Sequence, residues 1–112
     1  MIILSERISR NELISLSEVV FDDEMIKAVV DIRRGLLAID AELHADLEVL
    51  LLQNGSAQED LWGINLYPEE TEDFIEYDSL INIRPRQNNR SREIEDPQIC
   101  EQVDEVVQQW ID

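Results

Sequence analysis

Cationic side chains are scarce in this chain: 9 lysines and arginines stand against 26 aspartates and glutamates in 112 residues, a formal charge of −17. That imbalance argues against nonspecific adhesion to DNA, RNA or anionic lipid, whose affinity comes from neutralised phosphates. Cysteine occurs once, as Cys100, so no intrachain disulfide can form and no CxxC pair exists. A lone thiol suits a reducing compartment. Acidic neighbours such as Glu101, with no cation nearby in sequence, give Cys100 no reason to ionise easily, so it is not read as a nucleophile. Glycine is confined to Gly35, Gly55 and Gly63, too few for a phosphate-cradling loop. His44 is the only histidine, which excludes ligand sets that need two. No nucleophile elbow is present, and a serine triad could be drawn only by choosing freely among serines. Apolar runs are short. MIILSERIS breaks at Ser5 and Glu6, and nothing approaches the ~20 residues of a membrane span. The expectation is a cytoplasmic protein without membrane association. With so few aromatics, the core must be aliphatic.

What is present reads as one α+β domain over 1–112. Ser9 and Glu12 form a capping box, with Ile8 and Leu13 as a hydrophobic staple. Leu13, Leu16 and Val20 continue that helix, which the acidic run Asp22, Asp23 and Glu24 should end near Val20. Ile26, Ala28, Val30 and Ile32 alternate as a strand. Arg33-Arg34-Gly35 suits a tight turn, with Gly35 at positive φ. The next strand sends Leu37, Ile39, Ala41 and Leu43 one way and Ala38, Asp40, Glu42 and His44 the other. Leu47, Leu50 and Leu51 take helical spacing before Gly55, with a continued strand as the rival reading of 45–53. LWGINLYP reads as a third strand and DFIEYDSLINIRP as a longer fourth. Asp96 and Pro97 open a last helix whose stripe is Ile99, Val103, Val106, Val107 and Trp110. The order is α-β-β-α-β-β-α. Two hairpins give an antiparallel sheet of about four strands, with helices on one face.

Two charged features stand out. Asp40, Glu42 and His44 follow one another at strand spacing, with Asp46 just beyond. Glu42, His44 and Asp46 could serve a metal or acid-base chemistry, and the carboxylates favour a divalent magnesium, calcium or manganese ion over zinc. The commoner meaning of such a face is solvated outer surface. The second feature is RPRQNNRSR. Arg84, Arg86, Arg90 and Arg92 supply guanidinium forks suited to carboxylate or phosphate, and Asn65 and Asn82 add neutral donors on neighbouring strands. The commoner meaning is charge compensation, because no lysine or arginine lies between Gly35 and Ile83, where 12 acidic residues fall.

The strings ELHAD at 42–46, LWGINLYP at 61–68 and NRSR at 89–92 together resemble those of an uncharacterised bacterial family of unknown function. The resemblance implies no activity. It implies only that the three segments belong to one site.

Two functions follow as expectations. The first is a small acidic interaction or regulatory domain, a homodimer or a mask for a basic protein partner, with no required cofactor. The second is a binding protein or enzyme for a small anionic ligand, in which Glu42, His44 and Asp46 hold a metal and Arg84, Arg90 and Arg92 clamp the anion.

Overall fold

One antiparallel sheet of five strands organises the computed structural model, which describes residues 1–21 and 24–112. The strands are β1 (Ile2–Ile3), β2 (Ile26–Asp31), β3 (Leu36–Ile39), β4 (Leu61–Leu66) and β5 (Ile75–Glu76), in the spatial order β1-β3-β2-β4-β5. Helices α1 (Arg10–Leu16), α2 (His44–Gln53) and α3 (Pro97–Trp110) are interleaved with them. The α+β class and the order of the larger elements match the sequence reading. The extra strand is β1, whose two residues pair Ile2 with Ile39 and Ile3 with Ala38, too short to show a period.

Local chemistry explains the elements that the sequence announced. Ser9 Oγ accepts the Glu12 amide at 3.1 Å and Glu12 Oε1 accepts the Ser9 amide at 3.3 Å, the reciprocal capping box. The β2–β3 hairpin closes with Gly35 at φ +67, as its turn requires. Buried Asp31 fastens that turn: its Oδ1 accepts the Arg33 and Arg34 amides at 2.9 and 2.8 Å, and its Oδ2 accepts Ser56 Oγ at 2.6 Å. Residues 44–53 are helical, which settles the rival reading. The α2 helix stops at Asn54, followed by Gly55 at φ +104. Asp96 Oδ1 accepts the Gln98 amide at 2.9 Å ahead of α3, with Pro97 in its first turn.

Helices cover both faces of the sheet, not one. On one face Val103, Val106 and Val107 of α3 and Leu13 of α1 pack on Ala28, Val30, Leu37, Ile39, Trp62 and Ile64. Burying each such aliphatic side chain contributes roughly 1.5–3 kcal/mol. On the other face Leu47 and Leu51 of α2 pack on Val29, Ala38 and Leu61. The α2 helix reaches that face because β3 ends at Ile39. Asp40 turns the chain at φ +75, a conformation that aspartate tolerates better than most residues. Its Oδ1 accepts the amides of Glu18 and Val19, both at 2.8 Å. Those bonds also explain why α1 ends at Leu16 rather than near Val20: the next amides are committed to Asp40. The expected break at Asp22 and Asp23 lies outside the described residues; Glu24 beyond them sits at φ +57.

The expected long fourth strand is also corrected. Only Ile75 and Glu76 pair with β4. Beyond them the chain runs through 3-10 turns at Leu80–Asn82 and Pro85–Gln87 and lies across β4. Asn82 replaces a strand there. Its Oδ1 accepts the Gly63 amide at 2.8 Å and its Nδ2 donates to the Gly63 carbonyl at 2.9 Å. A Cβ on Gly63 would sit 2.6 Å from both Cβ and Oγ of Ser79, so only glycine admits this crossing. Gly63→Ala should therefore destabilise the protein by about 1–3 kcal/mol, the usual cost of overpacking, read as a lower urea midpoint. An unchanged midpoint would show that the crossing segment yields freely.

Candidate functional site

The 77–92 crossing closes a pocket of about 420 Å³ between itself, the start of α2 and β4. Leu43, His44 and Ala45 line it from 42–46, Asn65 from 61–68, and Arg92 from 89–92. The three sequence segments singled out above thus meet in one place. Met25, Lys27, Glu76, Asp78, Leu80 and Ile81 complete the wall.

His44 is buried at the first position of α2, and its ring reaches the sheet. Its Nε2 donates to the Ile64 carbonyl at 2.8 Å, because a carbonyl can only accept. That bond assigns the proton of the neutral ring to Nε2 and leaves Nδ1 with a lone pair. Burial lowers the ring's pKa, and the Lys27 charge adds to this. The Ile64 carbonyl, Asn65 and Asp78 pull the other way without prevailing.

Asn65 is 4% exposed. Its Nδ2 donates to Glu76 Oε1 at 2.8 Å and to the Asp78 carbonyl at 3.2 Å. Its Oδ1 has no hydrogen-bond partner among the described residues. A protonated His44 would supply the donor this oxygen lacks; the neutral ring does not. Lys27 Nζ donates to the Glu42 carbonyl at 2.9 Å and lies 4.8 Å from the Phe21 ring centroid. Arg92 Nε donates to Asp78 Oδ1 at 2.7 Å.

The two charged features of the sequence disperse. Glu42 and Asp46 are exposed while His44 is buried. No group of three or more histidine, cysteine, aspartate or glutamate side chains among the described residues could hold a metal ion, so Glu42, His44 and Asp46 do not form a ligand set. The strand alternation that grouped them ends at Asp40. The arginines do not form a clamp either. Arg84 donates to the carbonyls of Ile81 and Gln58 at 3.1 and 2.7 Å, to Gln87 Oε1 at 3.1 Å, and to the Leu61 carbonyl. Its guanidinium lies 4.2 Å from the Trp62 ring centroid. Desolvation lowers its pKa, and the charge of Glu48 opposes that shift. Arg84 works as a strut. Arg86 and Arg90 are exposed. Glu95 Oε2 accepts the Ser91 hydroxyl at 2.8 Å and the amides of Arg90 and Ser91 at 2.9 and 2.8 Å; the hydroxyl bond first, then the amides, lower the Glu95 pKa. Asn82 is fully buried in its pairing with Gly63, with a further bond from Nδ2 to the Arg92 carbonyl at 3.0 Å. Of the six anion-binding candidates, Arg92 and Asn65 line the pocket.

The chain belongs to a family described as Protein of unknown function (DUF5674). The family model spans residues 2–110, and so takes in every residue of this pocket. No curated protein and no solved structure matches the chain. Sequence reasoning missed Lys27, Glu76 and Asp78 as members of the site; Asn89 was missed as its organiser. Asn89 Nδ2 donates to the carbonyls of Asn82, Ser91 and Glu93 at 2.7, 3.1 and 2.7 Å, which shapes the NRSR loop. Only pairwise spatial proximity could have revealed them. Burial raises the Cys100 pKa, in keeping with an inert thiol.

Two measurements check these roles. Arg84→Gln should cost on the order of 1.5–3 kcal/mol, the scale of hydrogen bonds made by a charged group, while Arg86→Gln should be nearly silent in the same melts. Equal effects would mean that Arg84 is not a strut. The second concerns pH. A histidine with a lowered folded pKa binds its proton more readily when unfolded. The stability contributed by neutral His44 is complete above its unfolded value of about 6.5. It is lost as pH falls from there through the folded value. His44→Gln, whose amide can still donate to Ile64, should abolish that component. Wild type and variant with the same pH slope would refute it.

Proposed function

We propose that this protein is a small acidic interaction module that docks a basic, partly apolar protein segment. One observation carries the reading: Glu76 and Asp78 form a shared wall between the apolar-rimmed pocket and a groove of about 950 Å³. Glu70, Asp73 and Glu93 extend that groove, and no lysine or arginine among the described residues lines it. On the pocket side Leu43 and Leu80 are 57% and 67% exposed at the rim. Asp78 is paired with Arg92, while Glu70, Asp73, Glu76 and Glu93 form no ion pair among the described residues. An apolar anchor beside these carboxylates matches a segment in which leucine-like and cationic side chains alternate. The net charge of −17 supports the same partner, because it attracts cations over a distance of about the Debye length, roughly 8 Å in physiological salt. It also opposes a second copy of the chain.

The test separates local recognition from bulk charge. A short peptide of alternating lysine and leucine is titrated against wild type, against the groove variant Asp73→Lys with Glu93→Lys, and against a control with Glu101→Lys and Glu105→Lys on the exposed side of α3. Both variants change the net charge equally. The groove pair should weaken binding by about tenfold or more beyond the control, or ~1.4 kcal/mol. Leu80→Glu should weaken it as well. Equal losses in the two charge variants would reduce the effect to net charge and overturn the reading. Sedimentation of wild type and Leu80→Glu examines self-association through the same rim: a dimer lost in the variant would assign the face to a second copy instead.

A further inference from the structure

We infer that the pocket beneath α2 is a binding site for a small neutral hydrogen-bond donor carried on an apolar body, with a primary carboxamide as the simplest such head. This stands on the pocket itself and goes beyond the docking of a basic segment. Its polar floor presents acceptors. Asn65 lines the pocket, and its Oδ1 is buried with no hydrogen-bond partner among the described residues. His44 commits its one proton to the Ile64 carbonyl, so Nδ1 is an acceptor too. An acceptor left empty in a buried site is costly, and a donating ligand recovers that cost.

The walls choose among donors. Met25, Leu43, Leu80 and Ile81 are apolar and suit an aliphatic or aromatic body. A carboxylate would place a third acceptor against two lone pairs and the nearby Glu76. A cationic head meets Lys27, which forms no ion pair with a carboxylate among the described residues, and Arg92, whose charge is already balanced by Asp78. Entering an apolar pocket also strips a charged head of its water. A neutral N–H donor avoids both costs. A single trapped water would satisfy the same acceptors, yet the pocket of about 420 Å³ is more than ten times the roughly 30 Å³ that one water occupies in the liquid.

Three probes with one ring and three heads decide it: benzamide, benzoate and benzylamine. Each is titrated into the intact protein while the side-chain amide resonances of Asn65 and the ring resonances of His44 are followed by NMR. Benzamide should give a saturable shift at both residues, with an affinity at least about tenfold above the other two probes. Leu80→Glu, at a rim position that is 67% exposed, should reduce that affinity. Benzoate or benzylamine binding as tightly as benzamide would overturn the inference. So would the absence of saturable binding by all three, which would assign the pocket to water. A glutamine-bearing version of the lysine–leucine peptide then identifies the source of the head. Displacement of benzamide places the carboxamide on a docked segment, and co-binding places it on a free small molecule; both outcomes sustain the site. A peptide without glutamine that fails to bind anywhere removes the docking proposal alone.

Discussion

The side-chain amide of Asn82 does for β4 what a neighbouring strand would do. It takes the amide and returns a donor to the carbonyl of Gly63. Among the described residues no further strand lies beyond β5 on that side, so β4 would otherwise show unpaired peptide groups to a buried environment. Arg84 extends the same repair to the Leu61 carbonyl. Both depend on Gly63 having no side chain, since Ser79 occupies the space that a Cβ would need. Every later feature of the site follows from this crossing. It ends β5 after two residues, lays 77–92 over the sheet, and leaves a gap beside α2 that becomes the pocket.

The distribution of charge is governed by the same economy of partners. Two aspartates on the sheet are buried and serve backbone amides: Asp31 holds the hairpin turn, and Asp40 holds the chain leaving α1. An amide donor neutralises a carboxylate without requiring a cation, which matters where cations are few. Most remaining carboxylates face water, where repulsion between them is screened. Few cations pair with them. Four ion pairs are formed among the described residues, and the most buried guanidinium of the arginine run, Arg84, faces carbonyls instead. The groove beside β5 is accordingly lined by several carboxylates that form no ion pair among the described residues.

Much of the fold was legible in short-range patterns. The capping box at Ser9, the turn at Gly35, the alternation of β2, the end of α2 near Gly55 and the Asp96-Pro97 start of α3 all rest on residues within a few positions of one another. The site was legible only as a suspicion that 42–46, 61–68 and 89–92 act together. His44, Asn65 and Arg92 do share a pocket. Their roles were not legible. Asp40, Glu42 and His44 alternate as a strand would, yet Asp40 leaves β conformation because two amides of a distant segment bind it. Ile81 and Ile83 continue an apparent strand period, yet Asn82 between them turns inward to Gly63.

Local sequence by itself determined where α1 and α3 start, the alternation of β2 and its turn into β3, and that the molecule carries a large negative charge. Those properties depend on propensity, capping and side-chain period, all of which act over a few residues. Tertiary structure alone decided that α2 covers the second face, that Arg84 becomes a strut, and that a histidine and an asparagine line one cavity. The physical reason is that a buried polar group takes whichever partner the fold brings within about 3 Å. Residues 63 and 82, or 18 and 40, become partners only after the sheet has placed them side by side.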